Sequence, residues 1–599
     1  MSDTNKHDKK PRSPKPRASF RQSGSPVSRG PYGKLASAPE RRYGRPAPSQ
    51  PGEREQQPMR RYGRPAPSQP GEREQQPVRR YGRPAPSQLG EREQQPVRRY
   101  GRPAPSQPGE REQQPMRRYG RPAPSQPGER EQQPMRRYGR PAPPQQRQER
   151  ETVLSQDARR AALLVLNRVL QDGAYASLSL DEIFTNMRLS QKDKRLAAVI
   201  VYKTIEDLIK LDYVLDQFLQ DAQALNGKIR NILRLSACQI LLMDKIPDFA
   251  VVNEAVELAR ASGFEDMTGL VNGVLRSLIR QKDTLVWPAP EDPNYLSVTH
   301  SIPQWLLDVF LASYPEDTAL QIIAYRNPDH ATVVRRNRIL VRREEFDALL
   351  RRKAWEISPG MLEGAYRIKG ASEIGRDLDF QGGKFSIQSE GSMAVVLALA
   401  PMPGMTVLDC CAAPGGKACL IAEMMQNTGR VYAWDIHEHR VNLIYAQAER
   451  LRLYNIRPAV RDAAVYQERF EGTMDAVLLD APCSGTGVMD NKPDIKYRLT
   501  KEGLDELVAL QSDLLETVSR YVKPGGTLVY ATCSLLPAEN EAQITSFLSR
   551  HTDFAMDELP AGFPDAFRPH LHTHGLQLLP HRDGVDGFFI ARMKKAQHD

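Results

Sequence analysis

The sequence predicts a multidomain chain: a disordered repeat arm, an all-α bundle, a small α+β subdomain and a C-terminal α/β domain on a doubly wound parallel sheet. Three observations lead there. Residues 1–150 repeat a 19-residue unit with one Tyr and very few aliphatic side chains. Residues 152–286 carry apolar stripes at helical spacing with almost no strand signal. From Gly404 onward apolar strands alternate with helices, the pattern of helices covering both faces of a mainly parallel sheet.

The repeat unit starts at Arg41, Arg60, Arg79, Arg98 and Arg117, with a truncated copy at Arg136. Its composition cannot offset the entropy of ordering it, so disorder is expected. The 599 residues carry a formal net charge of +11, very unevenly placed. Residues 1–150 hold 34 Lys+Arg against 14 Asp+Glu, a net of +20, and the remaining residues a net of −9. A basic arm beside an acidic body suits a polyanion partner through counterion release. Each unit also sets one Tyr among Arg residues, a combination that holds single-stranded nucleic acid weakly. A solubilising tail, or a product of replication slippage without function, fits the same composition.

Residues 151–286 read as an all-α domain, with stripes such as Ala161–Leu170, Ile232–Leu242 and Val251–Ala259. Cys238 lies inside one stripe and reads as a packing residue. Trp287-Pro288-Ala289-Pro290 marks a linker, and residues 287–395 read as this linker plus a small α+β subdomain with strands at 332–336 and 366–369. Residues 396–599 form the expected α/β domain. None of the six cysteines forms a C-x-x-C pair, no signal-peptide core opens the chain, and no apolar run is long enough to span a bilayer. A monomer in a soluble, reducing, cytoplasmic setting is expected, without a membrane partner. His572, His574 and His581 are too loosely spaced to suggest zinc, so no metal is assigned.

Two motifs carry the chemistry. Asp480-Ala481-Pro482-Cys483-Ser484 follows the apolar run Ala476–Leu479, and Thr532-Cys533-Ser534 follows Thr527–Tyr530. Ligands of an open parallel sheet bind outside the carboxyl ends of its strands, so two thiols delivered there can share one cleft. Upstream, the strand Met405–Asp409 leads into Cys411-Ala412-Ala413-Pro414-Gly415-Gly416-Lys417 and a helix. Such a glycine turn brings backbone close to a ligand at a helix N-terminus. It is not a Walker loop, because Ala418 stands where a metal-binding Ser or Thr would be. Asp435 ends the next strand, where an acid takes two ribose hydroxyls. Asp462 follows Pro458–Arg461, facing either a base edge or a backbone N–H as a cap.

These features suit a nucleoside-bearing cofactor. With a thiol beside it, they favour methyl transfer from S-adenosylmethionine. Carbon C5 of a pyrimidine is a poor nucleophile until a thiolate adds at C6. A carboxyl near ring N3 assists that addition, and a base later removes the C5 proton.

The residues Cys411–Lys417, Asp480–Gly487, Pro493–Lys496, Ala531–Ser534 with Glu539-Asn540, and Asp586–Ile590 resemble the Sun (Fmu) branch of the RNA cytosine-5 methyltransferases, which acts on bacterial small-subunit ribosomal RNA. The helical region is similar to the NusB-like RNA-binding domain of the same proteins, through Leu233–Leu235, Ile246-Pro247, Val252–Val256 and Leu270–Arg276. The resemblance covers residues 152–595 and implies a Rossmann-like S-adenosylmethionine-dependent methyltransferase domain. It implies that Cys533 is the nucleophile that adds to C6. Cys483 would release the product, and Asp480 would contact the base. Residues 411–417, Asp435, Asp462 and Asp480 would hold S-adenosylmethionine. Three places depart from the family pattern: Ala418 after Lys417, Arg335-Arg336-Asn337, and Asp490-Asn491-Lys492. Transfer RNA as the substrate, or an RNA-binding module with a vestigial catalytic domain, are the alternatives.

Overall fold

The computed structural model describes residues 157–328, 331–371 and 373–597; the repeat arm, expected to be disordered, lies outside them. Seven helices build the first domain: α1 (Ala158–Asp172), α2 (Ala176–Asn186), α3 (Gln191–Glu206), α4 (Leu208–Asp216), α5 (Gly227–Leu242), α6 (Asp248–Ala261) and α7 (Thr268–Gln281). Asp157 caps α1 by accepting the Arg159 N–H, and Ser190 caps α3 by accepting the Asp193 N–H. The expected stripes are the buried faces: Val165 and Leu166 of α1, Ile200 and Val201 of α3, and Ile232 and Leu233 of α5 are inaccessible to solvent. Cys238 sits among them, its thiol pushed up to about 12 by burial.

The linker is not slack. Val286 exchanges two hydrogen bonds with the Gln217 side chain, at 2.9 and 3.2 Å, and Trp287 stacks on Tyr213. Three short helices follow (Tyr295–His300, Gln304–Ser313, Glu316–Ala324). They bury Leu306, Phe310 and Ile323 against Leu504, Leu535 and Leu579 of the C-terminal domain. A second join is Lys496, whose ammonium donates to the backbone oxygens of Glu206 (2.9 Å) and Ser301 (2.8 Å).

The small subdomain is a four-stranded antiparallel sheet: β1 (Thr332–Arg336), β2 (Glu356–Pro359), β3 (Ala365–Lys369) and β4 (Phe385–Ile387), in the order β2-β3-β1-β4. The helix Glu390–Leu399 packs in the core of the C-terminal domain.

The C-terminal domain holds β5 (Thr406–Asp409), β6 (Arg430–Asp435), β7 (Ile456–Val460), β8 (Met474–Asp480), β9 (Val522–Thr532), β10 (Phe554–Met556), β11 (Leu571–His572), β12 (Gly575–Leu578) and β13 (Phe588–Lys595). Their order is β11-β12-β13-β9-β8-β5-β6-β7, with β10 beside β13. Strands β5 to β9 are parallel, as expected. The sheet as a whole is not: β13 runs antiparallel to β9, β12 to β13, and β11 to β12. The expected mainly parallel, Rossmann-like sheet thus carries an antiparallel edge. The short turn between β11 and β12 joins neighbouring strands as a hairpin, which only antiparallel pairing allows.

Alternate residues of the central strands enter opposite layers. Val407, Leu478 and Val529 pack with the helices Glu390–Leu399 and Gly416–Met424. Leu408, Leu479 and Leu528 pack with Leu515 and Phe547 of the helices on the other face. One buried ion pair ties the small sheet to the helix that follows the glycine turn: Arg335 of β1 and Glu423 lie 2.6 Å apart, with 2% and 0% of their side chains exposed. Breaking such a pair from one side leaves an unpaired buried charge. Arg335→Met should therefore cost about 3–5 kcal/mol, read as the urea-unfolding midpoint of this domain. Arg335→Met/Glu423→Met should recover much of that loss. Equal loss in the two variants would show that the pairing is not what stabilises the joint.

Candidate active site

Strands β8 and β9 are parallel neighbours with Asp480 opposite Ala531. Their C-terminal extensions therefore leave the sheet side by side, and the Cys483 and Cys533 sulfurs lie 3.3 Å apart. The two thiols differ in proton affinity. The hydrogen bond from Cys483 holds the Cys533 thiol below its ordinary range, against burial and the Asp480 charge, with Lys417 and Lys492 assisting. The same bond, then burial, then the charges of Cys533 and Glu539 push Cys483 well above that range. Of the two sulfurs, either of which can donate to the other, Cys533 is the one whose thiolate this environment favours.

The loops around the thiols are tightly built. The Gly487 N–H donates to the Cys533 oxygen at 2.8 Å, and the Gly587 N–H to the Gly487 oxygen at 2.9 Å. A Cβ on Gly487 would lie 2.2 Å from the Gly587 oxygen, so no other residue fits there. Asn540 accepts from Thr532 Oγ1 (2.6 Å) and donates to the Ser534 oxygen (3.0 Å). A cleft of about 470 Å³, lined in part by Thr332, Val333, Ile387, Gly487 and Asp586, opens beside these loops toward the small sheet.

Asp480, the last residue of β8, accepts a hydrogen bond from the Lys417 ammonium at 2.6 Å. Lys417 also lies over the Phe588 ring. Burial works against its charge, but the Asp480 carboxylate holds its ammonium above the ordinary range. Sequence reasoning placed both residues in the site but missed that they pair. Asp409 was missed altogether. It ends β5, is wholly buried, and neither carboxylate oxygen has a hydrogen-bond partner. Burial, then the neighbouring Asp480 charge, pushes it up to about 8.

The glycine turn has the expected form. Gly415 sits at φ 107° and precedes the helix Gly416–Met424. A Cβ there would stand 3.3 Å from the Ile444 backbone, and that φ disfavours any other residue. The Ala412 N–H donates to the Trp434 oxygen (2.7 Å), and the Ala413 oxygen accepts from Arg440 (3.1 Å). Cys411 is partly exposed, while Cys410 and Cys419 are buried. Asp435 is buried at the end of β6, accepting the His437 N–H at 3.1 Å and facing Arg440 at 3.4 Å. Asp462 is exposed and accepts the Ala464 N–H at 2.9 Å, the local backbone contact its capping alternative anticipates.

This donor set fits S-adenosylmethionine. The charges of Asp480 and Asp435 act on Asp409 at the strand ends, and a ligand carrying an ammonium and a sulfonium offsets that crowding. The glycine turn leaves its backbone open at a helix N-terminus.

The proton affinities have a direct consequence. With limiting iodoacetamide, Cys533 should be alkylated before the other five cysteines. A free thiol titrates near about 8.5, so an ordinary cysteine slows as pH falls from about 9 to about 7.5. Cys533 should slow less over the same range, because its folded-state value is lowered. Peptide mapping by mass spectrometry reads this out; preferential labelling of Cys483 would reverse the assignment of the thiolate.

Comparison with known proteins agrees with this geometry. Residues 396–594 match the family model described as 16S rRNA methyltransferase RsmB/F, and residues 156–280 match the NusB family. The chain is 38% identical over 438 residues to the probable ribosomal RNA small subunit methyltransferase B of Bacillus subtilis (strain 168), covering 72% of this chain and 98% of that protein. It is 33% identical over 435 residues to the ribosomal RNA small subunit methyltransferase B of Shewanella oneidensis, covering 72% and 97%. Among solved structures, the crystal structure of PH0851 superposes with a TM-score of 0.64 at 26% identity, covering 73% of this chain and 99% of that one. The chain belongs to the ribosomal RNA small subunit methyltransferase B family, and it is an S-adenosylmethionine-dependent ribosomal RNA methyltransferase.

Proposed function

We propose that the enzyme methylates C5 of a cytosine in 16S ribosomal RNA through a covalent adduct between Cys533 and C6 of the ring. The observation that carries this is the pair of thiols 3.3 Å apart with opposite proton affinities. A single reactive thiol would serve addition alone. Two, one charged and one protonated, serve addition and release.

Cys533 adds as the thiolate, and electron density from the ring double bond moves to C5. The Lys417–Asp480 pair offers polar contacts for the N3 edge, which makes C6 more electrophilic. Residues 411–417, Asp435, Asp462 and Asp480 would hold S-adenosylmethionine, which when bound supplies an electrophilic methyl group. Once the Cys533 sulfur is bonded to carbon, it no longer accepts from Cys483 or repels charge there. The principal cause of the raised Cys483 proton affinity is then gone. Cys483 loses its proton to solvent and takes the proton from C5, and the Cys533 thiolate leaves as the ring double bond re-forms. The helical NusB-like domain and the cleft beside the small sheet are the surfaces on which RNA approaches. The basic arm adds sequence-independent affinity.

Cys533→Ala should abolish product on unmodified 16S ribosomal RNA. Cys483→Ala should methylate once and accumulate a protein–RNA adduct that survives denaturing electrophoresis. Normal turnover by Cys483→Ala, with no adduct, would contradict the two-thiol mechanism. Deleting residues 1–150 should leave turnover at saturating RNA unchanged and weaken RNA binding at low salt, the loss shrinking as salt rises. Equal affinity of the two forms at low salt would make the arm an inert tail.

A further inference from the structure

Between the last strand contact and the return of backbone pairing, the two thiol loops are joined by side chains. The Ala481 N–H donates to the Ala531 oxygen at 2.8 Å, and the next backbone bond across is Gly487 to Cys533. Cys483 lies between them. The residue that spans this gap is Glu539, in a short turn (Pro537–Glu539) after β9, and it has no solvent exposure.

Its carboxylate takes four donors. Oε1 accepts the Ser484 N–H (2.8 Å) and Gln511 Nε2 (2.9 Å). Oε2 accepts the Ser484 hydroxyl (2.5 Å) and the Ser534 hydroxyl. Ser484 directly follows Cys483, and Ser534 directly follows Cys533. The Glu539 backbone is itself anchored, because its oxygen accepts the Tyr530 hydroxyl at 2.6 Å from within β9. Both serine hydroxyls lie within hydrogen-bond reach of one carboxylate, and a carboxylate is an acceptor only. An amide in its place turns one oxygen into a donor facing donors.

We infer that Glu539 is a positioning residue that clamps the loops of Cys483 and Cys533 together. The inference rests on the two-thiol reading above. Glu539 touches neither thiol by hydrogen bond; it acts through the residue that follows each. Its charge also lies among the influences that disfavour a Cys483 thiolate. Ser484, Ser534, Gln511 and Thr486, whose Oγ1 accepts the Leu535 N–H at 2.9 Å, complete the brace.

Glu539→Gln should lower kcat by roughly tenfold to a hundredfold, the scale of a misplaced reacting group, with KM for RNA and affinity for S-adenosylmethionine within about threefold of wild type. Glu539→Asp should restore part of kcat. A second readout needs no turnover. Diamide takes two hydrogens and two electrons from adjacent thiols, giving a Cys483–Cys533 disulfide and the reduced hydrazine. This should form rapidly in wild type and at least about tenfold more slowly in Glu539→Gln, the loss of effective concentration expected of a loosened pair. S-adenosylmethionine binding reports whether the variant folds. Should it not, Ser484→Ala/Ser534→Ala, which removes two links and leaves the carboxylate, must show both losses. Wild-type kcat and disulfide rate in a folded Glu539→Gln, or in the double serine variant, would overturn the clamp. Activity of Cys533→Ala would instead defeat the two-thiol reading, leaving the disulfide rate to judge the clamp alone.

Discussion

The parallel pairing of β8 with β9 is the constraint on which the rest of this enzyme depends. It sets Asp480 opposite Ala531, and the two thiols of the proposed mechanism lie a few residues beyond. A one-residue slip would turn each side chain to the other face of the sheet. It would move Leu478, Leu479, Leu528 and Val529 out of their own layers and separate the thiols. The two core layers therefore protect the register, and the register aligns the sulfurs. Stability and catalytic geometry are here one requirement.

Burial at the strand ends gives the site its electrostatic character. Three acidic side chains, Asp409, Asp435 and Asp480, and one ammonium, Lys417, lie at these strand ends, with Asp409 pushed up to about 8 by burial and then by the Asp480 charge. Lys417 pairs with Asp480, and Asp409 has no hydrogen-bond partner. A cationic cofactor suits such a place. Lys417 lies in the glycine turn proposed to hold the cofactor and also influences the proton affinity of Cys533. On that proposal the same lysine links the cofactor loop to the nucleophile.

Much of this was legible in the sequence because the chemistry sits at strand ends, where apolar runs stop abruptly at Asp, Cys or Gly. The runs before Cys483 and Cys533, the glycine turn and the stripes of the helical domain all mark themselves locally. What escaped was long-range. Nothing near Glu539 in the chain says that it reaches Ser484, 55 residues away. Asp409 looks like any strand-terminal acid until its burial is known. The antiparallel β13 was missed because periodicity reveals a strand but not its direction. The salt bridge of Arg335 with Glu423 likewise joins two domains whose patterns are separately ordinary.

Bisulfite sequencing of 16S ribosomal RNA, from cells with and without this gene, tests the central claim most directly. Methylation at C5 protects a cytosine from conversion. The account predicts one protected cytosine that loses protection in the deletion, regains it with the wild-type gene and does not regain it with Cys533→Ala. An identical pattern of protection with and without the gene, or restoration by Cys533→Ala, would contradict it.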